Sequence, residues 1–161
     1  MKYLHLADNT RLPANDRYGK LRPYFDKVNK NFLKNFVVEQ RLSVDESMVK
    51  YFGHHPGEQF LKGKPIRFGY KLWSLCTPKG YLIQFDPYQG AGRSKIEIAP
   101  HLGLGGSVVK HLVSTLPKNP YIVYTDNFIT SITLLEELAT MGPHGNHPGE
   151  PYTRLSPNTS R

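Results

Sequence analysis

With 161 residues, 39% hydrophobic and 12% aromatic, the chain is long enough for one domain and too rich in core-forming side chains to be disordered throughout. Its 21 Lys and Arg against 13 Asp and Glu give a formal net charge of +8, which favours an anionic partner, nucleic acid first among them. A single cysteine, Cys76, excludes an intramolecular disulfide framework and a Cys-cluster zinc site, and no apolar run reaches the roughly 18 residues of a membrane span.

The leading MKYLHLADNTRLP holds no apolar run of signal-peptide length, so a soluble protein in a reducing, intracellular compartment is expected. Leu21, Phe25, Val28, Phe32 and Phe36 recur at helical spacing, with Pro23 in the first turn, and predict a helix within a basic segment over 1–40. Lys20, Lys27, Lys30 and Lys34 occupy its other face, as a solvated surface or as a nucleic-acid contact. From Arg41 the period changes to two. Leu42, Val44 and Met48 alternate with Ser43, Asp45 and Ser47, which predicts a strand over 42–49.

A Gly- and Pro-rich loop follows, and then two aromatic strands over 66–77 and 81–88. The short link Thr77-Pro78-Lys79-Gly80 predicts that they form an antiparallel hairpin. Ser107 is the expected cap of a helix carrying Val108, Leu112 and Leu116, ended by Pro117. YIVYTDN (121–127) reads as a buried strand with a polar end, and Ser131–Met141 as a helix stopped by Gly142. Strands running into helices predict an α/β domain with a mixed sheet. Residues 143–161 lack periodicity and are expected to form a disordered Pro/Gly-rich tail.

Two carboxylates stand where a metal site would need them. Asp45 lies inside the first strand, and Asp126 at the end of a later one, where ligand sites of open α/β sheets gather. On parallel neighbouring strands, about 4.8 Å apart, the two could share a divalent ion. An aspartate at a strand end is also a common cap or turn residue, and spacing alone leaves both readings open.

LSVDESMVKYFG, KGKPIRFGYKLWSLCTPKGYLIQFDPYQG, GLGGSVV and YTDNFITSITLLEEL, in that order, resemble the transposase domain of piggyBac-type elements and of the host proteins derived from them. The leading LHLADNTRLPANDRYGKLRPYFDKVN is similar to the helical region before that family's core. The resemblance implies an RNase H-like fold, incomplete here. It would comprise a helical segment over 1–40, a truncated core over 41–142 and the tail.

It also implies a DDD transposase that cuts and rejoins DNA with Mg²⁺. The first catalytic aspartate and metal ligand falls on Asp45 in the VDE motif, and the second on Asp126 in the TDNF motif. The family's third aspartate has no counterpart, because Glu136 and Glu137 lie on the wrong element and Glu150 in the tail. The expectation is a chain inactive by itself, binding Mg²⁺ weakly. A nuclear location follows from the resemblance alone. No membrane or small-molecule substrate is expected. An open sheet edge would favour self-association or association with a longer relative.

Between Lys50 and Lys71, the bases Lys50, Lys62, Lys64, Arg67 and Lys71 interleave with Tyr51, Phe52, Phe60, Phe68 and Tyr70 against one acid, Glu58. Bases neutralise phosphates and exposed aromatics stack on nucleobases, whereas buried aromatics would be core. The resemblance places this stretch beside the active site and so favours DNA contact. His54 stands where the family usually has Arg, which removes one candidate phosphate contact. Gly103, Gly105 and Gly106 match no phosphate-loop spacing and read as a tight turn into a helix. His54-His55 and His144…His147 lack partners at ligand spacing, while Cys76 and Trp73 read as core. Three readings remain. The chain is a transposase fragment, a domesticated non-catalytic DNA- or partner-binding module, or a translated remnant.

Overall fold

The computed structural model describes residues 6–90, 93 and 95–141. The tail, with His144, His147 and Glu150, lies outside the described residues. In chain order come α1 (Arg22–Lys34), β1 (Arg41–Lys50), β2 (Gln59–Phe60), β3 (Phe68–Cys76), β4 (Leu82–Pro87), α2 (Gly103–Ser114), β5 (Ile122–Thr125) and α3 (Ile132–Met141). The sheet is mixed. β3 pairs antiparallel with β1 on one side, and on the other with β4 at one end and β2 at the other. β1 then pairs parallel with β5.

β1 follows its alternating pattern. Leu42 and Val44 are fully buried, and with Leu75, Trp73, Ile83 and Val123 they meet Val108, Val109 and Leu112 of α2 and Leu134 and Leu138 of α3. Truncating one such side chain to alanine costs about 2–5 kcal/mol. The expected hairpin forms between β3 and β4. Its turn closes with N–H bonds from Gly80 to the Thr77 carbonyl and from Thr77 to the Tyr81 carbonyl, both 2.9 Å. Gly80 supplies the φ of +83° that this turn needs. Where β1 and β3 begin to part, Gly69 is required sterically, since a Cβ there would lie 2.1 Å from the Val49 carbonyl oxygen.

α1 forms as its spacing predicts, with Pro23 in the first turn and Lys34 in the last. It lies along β4. Asn29 accepts the Phe85 N–H (3.0 Å) and donates to the Phe85 carbonyl (2.8 Å), which satisfies backbone groups of β4. Phe25 meets Phe85 edge-on at 5.4 Å, and Tyr18 joins Phe25 to Tyr70. The Tyr18 hydroxyl donates to the Gly57 and Tyr88 carbonyls, and burial pushes its pKa up to about 12.

Three details depart from the sequence reading. Leu21 precedes the helix and is exposed, because the turn at Tyr18–Leu21 sets the entry before the apolar stripe begins. α2 starts at Gly103, so Ser107 lies inside it. Its hydroxyl donates to the Gly103 carbonyl and accepts the Ala99 N–H, so it ties the helix to the preceding loop from within. β2 was not expected, since two residues show no periodicity.

A charge cluster ties these parts together. Arg22 holds Asp16 in two bonds of 2.9 and 3.0 Å, and Lys95 approaches the same carboxylate at 3.3 Å. Asp86 receives only a 3.9 Å approach from Arg22, whose fork is committed elsewhere. Burial therefore dominates at Asp86 and raises its pKa from 3.8 to about 6, against the opposing pull of Arg22 and Lys95. The folded state thus binds this proton more tightly than the unfolded one, and the group's contribution falls as pH rises from about 4 to 6. Asp86→Asn is expected to raise stability at pH 7–8, on the order of 2 kcal/mol, with no gain near pH 4. Urea denaturation at the two pH values checks this, and an equal gain at both would contradict it.

Candidate active site and nucleic-acid interface

The register of β1 and β5 sets the site. Leu42 pairs with Val123 and Val44 with Thr125, so Asp45 and Asp126 each directly follow the last register pair of the two strands. Val44 and Thr125 are buried, and the strand period turns Asp45, inside β1, to the opposite face, while Asp126 stands in the turn that follows β5. Both are exposed. Across β1 the register partner of Asp45 is Ser74, and Ser47 and Ser74 share a 2.8 Å hydroxyl bond. The floor beside the carboxylates is therefore small and polar.

The two carboxylates are held differently. Asp126 Oδ1 accepts the N–H groups of Phe128 (2.5 Å) and Ile129 (3.1 Å), while its carbonyl accepts from the Thr130 hydroxyl at 2.7 Å. Asp126 is thus both a turn-former and a candidate ligand, and its Oδ2 has no bond among the described residues. Asp45 bonds only to the adjacent Glu46 N–H, at 2.7 Å. Two hard oxygen donors on adjacent strands suit Mg²⁺, which keeps several waters. No group of three or more His, Cys, Asp or Glu side chains able to hold a metal occurs among the described residues.

Cys76, expected in the core, is instead half-buried on the open face, two residues from Ser74 along β3. The β-bulge between Leu75 and Cys76 shifts the register there. Burial raises its thiol pKa, with a smaller push from Asp45. Trp73 is in the core, as expected.

The basic stretch divides in two. Lys50, Lys62, Lys64 and Arg67 are exposed, the last three in or beside the β2–β3 turn, which the Leu61 N–H closes onto the Arg67 carbonyl. Lys71 is not presented to solvent. Its side chain is 14% exposed, its ammonium lies 2.5 Å from Glu46, and it stacks over Trp73 at 4.2 Å and Tyr88 at 5.4 Å. Its charge is answered inside the protein, because β3 places it on the same side of the sheet as Glu46. Lys64 also reaches Glu46, at 3.5 Å. Burial pushes the Glu46 carboxyl up, but Lys71 and Lys64 outweigh it and hold the group below its ordinary pKa.

Sequence reasoning missed Glu46. The available signal was its phase, since it continues the buried series Leu42, Val44 and so called for a buried cation. The aromatics divide likewise. Tyr51 and Tyr70 pack together at 4.9 Å, while Phe52, Phe60 and Phe68 stand outside. His55 stacks on Tyr18 and accepts the Gly57 N–H, which accounts for it structurally.

A family model described as Transposase IS4, of the DDE type, matches residues 1–144. The chain is 42% identical over 143 residues to PiggyBac transposable element-derived protein 2 of Homo sapiens. The chain belongs to the piggyBac transposase-derived family. Identity to PiggyBac transposable element-derived protein 3 of Homo sapiens is 43% over 143 residues. These alignments cover 87% and 86% of this chain and 24% of each relative, so the chain spans about a quarter of the relatives it matches. A cryo-EM structure of a piggyBac transposase synaptic complex with hairpin DNA superposes with a TM-score of 0.73 at 26% identity, over 85% of this chain and 29% of that one. The mixed sheet with flanking helices is thus the fold of a piggyBac transposase, in keeping with the RNase H-like expectation.

In this piggyBac-derived chain the dual engagement of Asp126 has a measurable consequence. Asp126→Ala removes the acceptor of two backbone N–H groups and is expected to cost about 1 kcal/mol of stability, whereas Asp126→Asn retains most of it. Asp45→Ala should stay within about 0.5 kcal/mol of the parent. Chemical denaturation of the three variants checks the asymmetry, and equal losses at 45 and 126 would contradict it.

Proposed function

We propose that this chain is the leading part of a DDD transposase core, in which Asp45 and Asp126 are two of the catalytic carboxylates and hold a divalent metal ion. The observation that supports the reading is the β1–β5 register, whose last pair, Val44 with Thr125, immediately precedes two exposed carboxylates. Residues 41–142 form the core, and the segment over 1–40 braces it through α1. Mg²⁺, when bound, would supply Lewis-acid stabilisation of the attacking and leaving phosphate oxygens. The part of the chain's own residues is to position. The strand pairing fixes the separation of the carboxylates, and the Asp126 turn fixes the orientation of one of them.

Two carboxylates orient Mg²⁺ poorly, and a third is needed for strand cleavage. The chain by itself is therefore read as catalytically silent, with the third aspartate lying beyond the span it shares with its relatives. Its substrate class is DNA, approached through Lys50, Lys62, Lys64 and Arg67, with Lys71 as an internal anchor. The net charge of +8 and the DNA-bound state of the structurally similar transposase support this. A nuclear location accords with such a substrate. β5 pairs only with β1 among the described residues, which supports docking of a further strand from a second copy or a longer relative.

The domesticated, non-catalytic DNA-binding reading keeps one specific support, the exposed basic β2–β3 turn, which needs no metal to bind phosphate. The chain is expected to bind a duplex oligonucleotide with an affinity that falls linearly in log salt. It should release no cleaved strand in Mg²⁺ or Mn²⁺. Lys62→Ala with Arg67→Ala should lower the salt slope by about two phosphate contacts, while Lys71→Ala lowers stability more than affinity. Metal-dependent nicking lost in Asp45→Asn would overturn the silent assignment. Absence of salt-dependent binding would overturn the DNA reading.

A further inference from the structure

Phe60 and Phe68 face each other across the β2–β3 pair, with ring centroids 4.8 Å apart and planes inclined by 40°. Each is 56% exposed, in a chain that buries Trp73, Phe85 and Tyr18. Among the described residues neither forms a ring pair with Tyr18, Tyr51, Tyr70 or His55, and each pairs only with the other. The turn joining their strands carries Lys62, Lys64 and Arg67, all exposed, with a tip at Gly63 (φ +89°). Phe52, 87% exposed, lies nearby in sequence beneath the Lys50 ammonium at 4.7 Å. Two open aromatic faces ringed by cations that can pair with phosphates form the combination by which proteins hold unpaired nucleotides. The rings stack on bases while the cations track the backbone. A phenylalanine has no donor or acceptor with which to read the edge of a paired base, so the ring faces have most to gain from bases already out of the stack.

We propose that Phe60 and Phe68 form a stacking platform for unpaired bases of a DNA strand, set at a fixed distance from Asp45 and Asp126. The distance follows from β3. Phe68 lies six residues from Ser74, the register partner of Asp45, or about 20 Å at roughly 3.4 Å per residue. An even separation keeps both on one face of the strand. A stacked DNA strand rises about 3.4 Å per nucleotide and an unstacked one more, so the platform meets bases within about six nucleotides of the phosphate at the carboxylates. Between the platform and Ser74 that face carries Tyr70 and Leu72 of β3 beside Val49 and Ser47 of β1, so a strand reaching the carboxylates passes the Tyr70 cluster. The platform rests on the DNA reading given above and specifies which form of DNA is held.

The test compares a blunt duplex with the same duplex carrying a six-nucleotide single-stranded tail, by fluorescence anisotropy with the full chain. A 2-aminopurine at the sixth tail position reports stacking. The parent is expected to prefer the tailed duplex and to quench 2-aminopurine. Phe60→Ala with Phe68→Ala should bind the tailed duplex about tenfold more weakly, leave the blunt duplex unchanged and abolish the quench. Phe60→Leu with Phe68→Leu, which keeps an apolar hairpin without the ring faces, should lose the quench as well, and the corresponding Trp pair should retain it. A Leu variant that binds and quenches like the parent overturns the proposal, as does equal loss on both duplexes. A dimer that the Ala pair dissociates overturns it too, since a second copy would then be the occupant. A parent that binds both duplexes equally sinks the platform alone, whereas a parent that binds neither sinks the DNA reading with it.

Discussion

The structure turns on the parallel pairing of β1 with β5. Four register pairs, from Arg41 with Ile122 to Val44 with Thr125, join segments about 80 positions apart, and everything chemical follows from their extension by one residue. A slip of one residue would turn one aspartate into the core and leave the other outside. The slip is prevented from the buried side. Leu42, Val44 and Val123 join the core with α2 and α3 and Thr125 is buried beside them, and a one-residue slip would expose residues of one strand. The apolar face thus sets the geometry of the polar one.

Around that pairing the chain answers its charges in two ways. On the side away from the aspartates, Glu46 and Lys71 neutralise each other against Trp73 and Tyr88, and Arg22 is shared unequally between Asp16 and Asp86. These pairs knit α1, β1, β3 and β4 together. On the outer side, Lys50, Lys62 and Arg67 have no carboxylate partner within ion-pair distance among the described residues. These exposed cations therefore lie where aromatic rings are also left open. A uniform basic composition would not have shown this, because it counts Lys71 and Lys62 alike.

Much of this was legible in the sequence, and the limits are physical. The alternation in 42–49, the breaker-rich link at 77–80 and the helical stripe from Phe25 to Phe32 each encode one element, and each forms. Asp45 and Asp126 were legible as candidates because a polar residue inside or ending an apolar strand breaks the pattern. That they follow one register pair was not legible, since pairing partners are set by tertiary packing. Ser107 misled because a serine before an apolar run signals a cap unless its hydroxyl turns back into the helix, which only the Ala99 and Gly103 contacts disclose. The division of bases and aromatics into inner and outer sets was likewise hidden. It depends on which face of β3 meets Glu46, and on Gly69 letting β1 and β3 approach closely.

The account stands or falls on whether Asp45 and Asp126 act on one ion. The direct measurement is paramagnetic broadening of backbone amide resonances on stepwise addition of Mn²⁺ to the labelled chain. The account requires early, selective loss of signals from Ser74, Cys76 and Asn127, at millimolar metal, and their recovery in both Asp45→Asn and Asp126→Asn. Broadening that centres on other acids, or that survives in either variant alone, would contradict it.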